Sequence, residues 1–145
     1  MFRIFVFASA LILAAPALAS EKDDALAPIK AFVEGINKSD MKGAAAVHVD
    51  APSIIDEFPP HHWTSLDTWA ADYGKESARL GASDGRLTMH KVHRLTLEGD
   101  AAYAVIPTDY SYKMKGKTIV EHGTITYALT RAAGSWKIAA WSYSW

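Results

Sequence analysis

The 145-residue chain balances 15 Lys and Arg against 16 Asp and Glu, a formal net charge of −1. It has no basic block of the kind that neutralises phosphates, which argues against nucleic acid as a partner. No Cys occurs, which excludes disulfides, thiolate catalysis, cysteine-ligated zinc and covalent c-type haem. The length suits one domain able to bury roughly two thirds of its unfolded surface without staples.

The chain opens like an export signal. Met1 and Arg3 give a positive start, Ile4 to Ala15 form an apolar run, and Pro16 precedes Ala17-Leu18-Ala19 at a cleavage point before Ser20. The run is shorter than the roughly 20 apolar residues a membrane span needs. The expected division is therefore a signal peptide over 1–19 and one exported domain over 20–145, periplasmic or secreted, with no membrane contact after cleavage.

Leu26, Ile29, Phe32, Val33 and Ile36 recur at helical spacing and predict a helix from about Asp24 to Asn37. Ser39 is placed to cap a short helix from Asp40 towards His48. Ser53 to Phe58 reads as a short strand stopped by Pro59-Pro60. Thr64-Ser65-Leu66-Asp67 has the pattern of a capping box. It opens a third helix with Leu66, Trp69, Ala70, Tyr73 and Leu80 on its buried stripe and Gly81 as its stop.

From Arg86 the period changes to two. Strands are expected over about Arg86–Glu98, Ala101–Met114, Lys117–Arg131 and Ser135–Trp145, turned by Gly99-Asp100, Lys115-Gly116 and Ala133-Gly134. Helices followed by a meander of long strands define an α+β domain, three N-terminal helices packed on a twisted antiparallel sheet. Short turns favour sequential antiparallel pairing.

This order resembles the nuclear transport factor 2-like (NTF2-like) superfamily. Four stretches carry the resemblance: Phe32 to Asp40, Asp50-Ala51-Pro52 with the strand after it, Gly99-Asp100-Ala101-Ala102-Tyr103, and Gly134-Ser135-Trp136-Lys137-Ile138. The branch they are most similar to is the SnoaL-like one. The resemblance implies a cone-shaped fold enclosing a hydrophobic pocket. In its ketosteroid isomerase members a base aspartate follows the Asp-Ala segment, and a carboxylate base works with a tyrosine and aspartic acid oxyanion site.

Asp56 lies near that base position, offset by one residue, and one step along a strand turns a side chain to the other face; its other reading is a solvated turn acid beside Pro59-Pro60. Phe32 fills the helix position where the isomerase pattern has its oxyanion tyrosine, and it has no proton to donate. With Lys115-Gly116 as a two-residue turn, Tyr110 faces Glu121, Ile106 faces Ile125, and Ala104 faces Tyr127. Glu121 is then the one carboxylate on an apolar, aromatic face, where desolvation raises a pKa; its other reading is a solvated rim acid. A three-residue turn pairs Glu121 with Asp109 instead.

His61, beside His62 and Trp63 after Pro59-Pro60, has two readings, a proton shuttle at the pocket mouth and a surface-loop histidine. The candidate catalytic residues are thus Asp56, Glu121 and His61, and the candidate ligand-binding residues are Phe32, Trp63, Trp69, Tyr73, Tyr110, Tyr127 and Trp141. Trp141, Tyr143 and Trp145 alternate with serines, placing three rings on one face of the last strand. No HxH or HExxH spacing exists, so neither metal nor cofactor is expected. Three uses compete: cofactor-free proton transfer on a small hydrophobic or aromatic molecule, binding of such a molecule without chemistry, and homodimerisation through the sheet.

Overall fold

The computed structural model describes residues 15–145, with side chains described from Ser20. The export signal expected over 1–19 lies outside the residues whose side chains are described. Helix α1 spans Ala15–Asn37, α2 Met41–Ala46 and α3 Leu66–Leu80. The strands are β1 (His48–Ile55), β2 (His62–Trp63), β3 (Ala82–Met89), β4 (Arg94–Glu98), β5 (Ala101–Met114), β6 (Lys117–Ala132) and β7 (Ser135–Ser144). No helix among the described residues is long and apolar enough to cross a membrane.

The long β5–β6 hairpin anchors the sheet. Lys115 and Gly116, both at positive φ, form its two-residue turn, so Tyr110 faces Glu121, Ile106 faces Ile125, and Ala104 faces Tyr127. The pleat then sorts side chains by face: Ile106, Ile125, Tyr127 and Leu129 are buried. Phe32 and Ile29 of α1, Trp69 of α3, and Ile54, Ile138 and Trp141 of the strands join them in one core. Each such side chain contributes about 1.5–3 kcal/mol on burial.

The sheet is curved, open and mostly antiparallel, in the order β2-β1-β7-β6-β5-β3. It departs from a purely sequential meander in one place, because β1 pairs with β7 in parallel. The expected strand Arg86–Glu98 is also broken. β3 and β4 both lie along β5, and the chain leaves the ladder between Met89 and Arg94. Only two of the three helices are long, α2 being a six-residue turn.

The ends of the elements follow local chemistry that corrects three expectations. Ser39 takes φ 59° just past α1, so it cannot cap α2; Asp40 does, accepting from the Gly43 amide at 2.9 Å. Ser65 is the N-cap of α3 but makes no side-chain capping bond, and Thr68 instead donates to the Ser65 carbonyl. The strand expected at Ser53–Phe58 is β1, which begins earlier and ends at Ile55. Gly81 ends α3 in the left-handed conformation, as expected.

In β7 the register slips opposite Ala128/Leu129, which inserts Ala139 as an extra residue. That bulge lets Ile138 and Trp141, at odd spacing, both turn inward. Trp145 lies beyond the strand and is 73% exposed, so it does not share the face of Trp141 and Tyr143.

Candidate active site

Between α1, α3 and the concave side of the sheet is a cavity of about 580 Å³. Its walls are Phe32, Ile36, Leu87, Ile125, Trp69 and Trp141, with Tyr73, Tyr110 and Tyr143 adding hydroxyls and Asp56 and Glu57 adding carboxyls.

Asp56 reaches this cavity by strand phase. Ile54 is buried, Ile55 is 48% exposed, and Asp56, one residue past the strand, is buried again. The one-residue offset from the isomerase pattern therefore does not turn it away from the core. Its Oδ2 accepts from the Trp69 indole at 2.9 Å and its Oδ1 from the Glu57 amide at 2.8 Å. Burial raises its pKa, and those two hydrogen bonds only partly oppose the rise. Each oxygen keeps a free lone pair, so the carboxylate is positioned yet able to take a proton.

Glu57 was not foreseen. It is exposed but lines the cavity, and its carboxyl is pushed up to about 7 by partial desolvation, with repulsion from Glu121 and then Asp56 adding to it. Glu121 is half-buried beside it and outside the wall proper; its Oε1 accepts from the Tyr112 hydroxyl at 2.7 Å. That bond is the main reason the Tyr112 phenol is pushed up to about 12. The register puts Glu121 opposite Tyr110, and its hydrogen-bond partner is the tyrosine Tyr112.

The rings form a chain. Trp141 meets Trp69 edge-on at 5.2 Å, Trp69 stacks on Tyr73 at 5.6 Å, and Tyr110 stacks on Tyr112 at 5.3 Å. The Tyr73 and Tyr110 hydroxyls are hydrogen-bonded to each other. Burial, then the Tyr73 bond, raises the Tyr110 pKa; burial, then the Glu121 charge, raises that of Tyr143. Both remain O–H donors at neutral pH. The Trp141 indole N–H and the Tyr143 hydroxyl are buried with no partner among the described residues.

Two glycines make room for these rings. A Cβ on Gly85 would come within 2.5 Å of the Tyr110 hydroxyl and 2.7 Å of that of Tyr73; one on Gly123 would come within 2.6 Å of the Tyr143 ring. Glycine inside a strand is the sequence signal for such an approach. Read that way, Gly123 points to Tyr143. Asn37 was also missed: its amide bonds both the N–H (2.9 Å) and the C=O (2.7 Å) of Leu87, tying α1 to β3 at the cavity's edge.

Of the candidate residues, Asp56, Phe32, Trp69, Tyr73, Tyr110 and Trp141 line the cavity, whereas His61, Trp63, Tyr127 and Glu121 do not. His61 takes φ 71° in the turn after Pro59-Pro60, is exposed, and donates Nδ1–H to the Asp56 carbonyl. The turn uses it rather than presenting it to the cavity. Trp63 packs on Phe58 and gives its indole N–H to Asp72 of α3. Tyr127 is wholly buried within the core. Among the described residues no group of three or more acidic or histidine side chains could hold a metal ion.

A helix-backed, curved sheet closed over a cavity is the NTF2-like arrangement. Residues 26–145 match the SnoaL-like domain, and the chain belongs to that family. No curated protein matches it. Among solved structures it is similar to a protein of unknown function from Mycobacterium tuberculosis (TM-score 0.73, 15% identity, covering 93% of this chain and 77% of that one). A hexachlorocyclohexane dehydrochlorinase from Novosphingobium barchaimii also aligns (0.73, 15%, 90% and 88%). So does a ketosteroid isomerase-like protein from Erwinia carotovora atroseptica (0.67, 19%, 86% and 95%). At these identities the likeness shows the fold alone.

Proposed function

We propose that this domain binds a small hydrophobic molecule in the cavity and catalyses cofactor-free proton transfer, with Asp56 as the base. The observation that carries the reading is Asp56 itself: buried, lining the cavity, oriented by an indole, and raised in pKa without a countercharge. Raising a carboxylate's pKa towards neutrality makes it a stronger base while it stays ionised. Trp141 and Tyr143 line the cavity and carry a covered N–H and O–H with no partner among the described residues; turned to the ligand on binding, these would suit an oxygen that gains charge as the proton leaves. They stand in for the tyrosine that Phe32 replaces. Isomerisation and elimination both begin with such a proton abstraction, and the names of two similar structures belong to those reaction types.

The test uses 5-nitrobenzisoxazole, a flat apolar carbon acid that loses its C3 proton to a base as its N–O bond breaks. The wild-type protein is expected to accelerate the reaction, with a pH profile whose midpoint lies above the ordinary Asp value of 3.8. Asp56→Asn is expected to lose about 10²–10⁴-fold of the acceleration. Equal rates for the two proteins would overturn the role of Asp56. A non-catalytic carrier is the second reading, favoured because both Asp56 oxygens already hold hydrogen bonds. Tight binding of the probe without turnover selects it.

The same reading takes the domain out of the cytoplasm, on the strength of the apolar run before Ala17-Leu18-Ala19. Protein recovered from the periplasm or medium should begin at Ser20. Full-length chain in the cytoplasm alone would contradict export.

A further inference from the structure

The wall of the cavity combines aromatic faces with carboxylates and lacks any Lys, Arg or His among its nineteen lining residues. Of its acids, Asp84 is paired with Lys113 at 2.9 Å. Asp56 and Glu57, with the adjacent Glu121, have no ion-pair partner among the described residues, unlike Asp72, paired with Lys75, and Glu21, paired with Arg131. Three acids that repel one another around a cavity, one of them nine-tenths buried, cost stability unless something supplies the opposite charge.

Hydrogen bonding sharpens the point. Asn37 spends its amide on Leu87, and the Tyr112 hydroxyl is spent on Glu121, so neither neutralises Asp56 or Glu57. The rings beside them offer what a cation uses: Trp69, Trp141, Tyr73 and Tyr143 present π-systems in the same wall, and aromatic walls with nearby carboxylates attract ammonium groups. An anionic ligand meets the reverse, repulsion from three carboxylates in a partly desolvated space.

We propose that the ligand of this cavity is an organic cation, a protonated or quaternary amine on an aromatic or bulky apolar body, with its charge held between Glu57 and Glu121 and its body against Trp69 and Trp141, leaving Asp56 free as the base. The proposal rests on the cavity being the ligand site and adds the charge of what fills it. A volume of about 580 Å³ accommodates a bicyclic body with a short amine arm. The elevated carboxyl of Glu57, faced by Asp56, Glu121, Tyr112 and Tyr143, fits a site whose countercharge arrives with the ligand.

Three probes of one shape separate the terms: 2-naphthylmethylamine as the cation, 2-naphthylmethanol as the neutral body and 2-naphthoate as the anion. Binding is read by calorimetry at pH 7.5 and by the indole resonances of Trp69 and Trp141. The cation should bind about tenfold or more tighter than the alcohol, and the carboxylate weakest of all. Glu57→Gln combined with Glu121→Gln should shrink the cation's advantage to about threefold or less while leaving the alcohol's affinity unchanged, a split that general loosening of the fold does not produce. If the alcohol binds as tightly as the amine, the ligand site stands and the cation inference falls. If none of the three moves the two indoles, the cavity is not a ligand site and both fall.

Discussion

Two aspartates on the two sides of one sheet meet opposite fates. Asp109, on the outer face beside Tyr110, is bracketed by His122 Nδ1 at 2.7 Å and His90 Nε2 at 3.0 Å, and these bonds hold its carboxyl below the ordinary range. Asp56, on the inner side, meets an indole and an amide but no cation, and burial holds it above that range. On the outer face Asp109 is paired and wet; on the inner face Asp56 is left uncompensated among rings. Because a strand alternates its side chains, one residue of register separates a solvated surface from reactive chemistry.

The contrast can be broken most severely at the tie between α1 and β3. Asn37→Ala strips the Leu87 N–H and C=O of both partners, an expected loss of about 2–3 kcal/mol and on the order of 10 °C in Tm, measured by thermal unfolding. Gly85→Ala strikes the inner face alone. The new Cβ pushes on the Tyr73 and Tyr110 hydroxyls, and because side-chain ends can yield, the expected cost is about 1 kcal/mol together with weaker binding of the naphthyl probes.

Glu57→Gln sharpens the comparison through pH. Its folded pKa is raised to about 7 from 4.5, so within that window the folded state holds more protons than the unfolded chain, and stability falls as pH rises through it. Removing the charge should flatten that slope. At pH 8 the gain is expected to be roughly 0.5 kcal/mol, kept small by solvent screening of this exposed group, and to vanish by pH 4.5. His122→Ala on the outer face has the smallest expected effect: Tm nearly unchanged, and probe binding and turnover as in wild type. A loss of turnover there would mean that the two faces are coupled.

Much of this was legible in the chain. Lys115-Gly116 set the hairpin register, and with it the inward face of Ile106, Tyr110, Glu121 and Ile125, because a tight turn leaves the pairing no freedom. The parallel pairing of β1 with β7 was not legible, since no local pattern records which distant strand closes a sheet. Asp56 was found by resemblance, but its face depended on where β1 ends. Glu57 was passed over for a related reason: its environment is made in part by Glu121, more than sixty positions away. Asn37 looked like a helix end, and only the fold reveals it as a clamp on Leu87. His61 shows how a turn resolves two readings: it is exposed, and its ring serves the turn's own hydrogen bond to the Asp56 carbonyl.

Carboxyl carbon-13 shifts followed against pH in the wild-type protein test the uncompensated inner face most directly. Asp56 is expected to titrate above 3.8 and Asp109 below it, in one sample and one series of spectra. An Asp56 midpoint at or below that of Asp109 would contradict the account, since its carboxylate would then be solvated or paired and no longer the base this cavity requires.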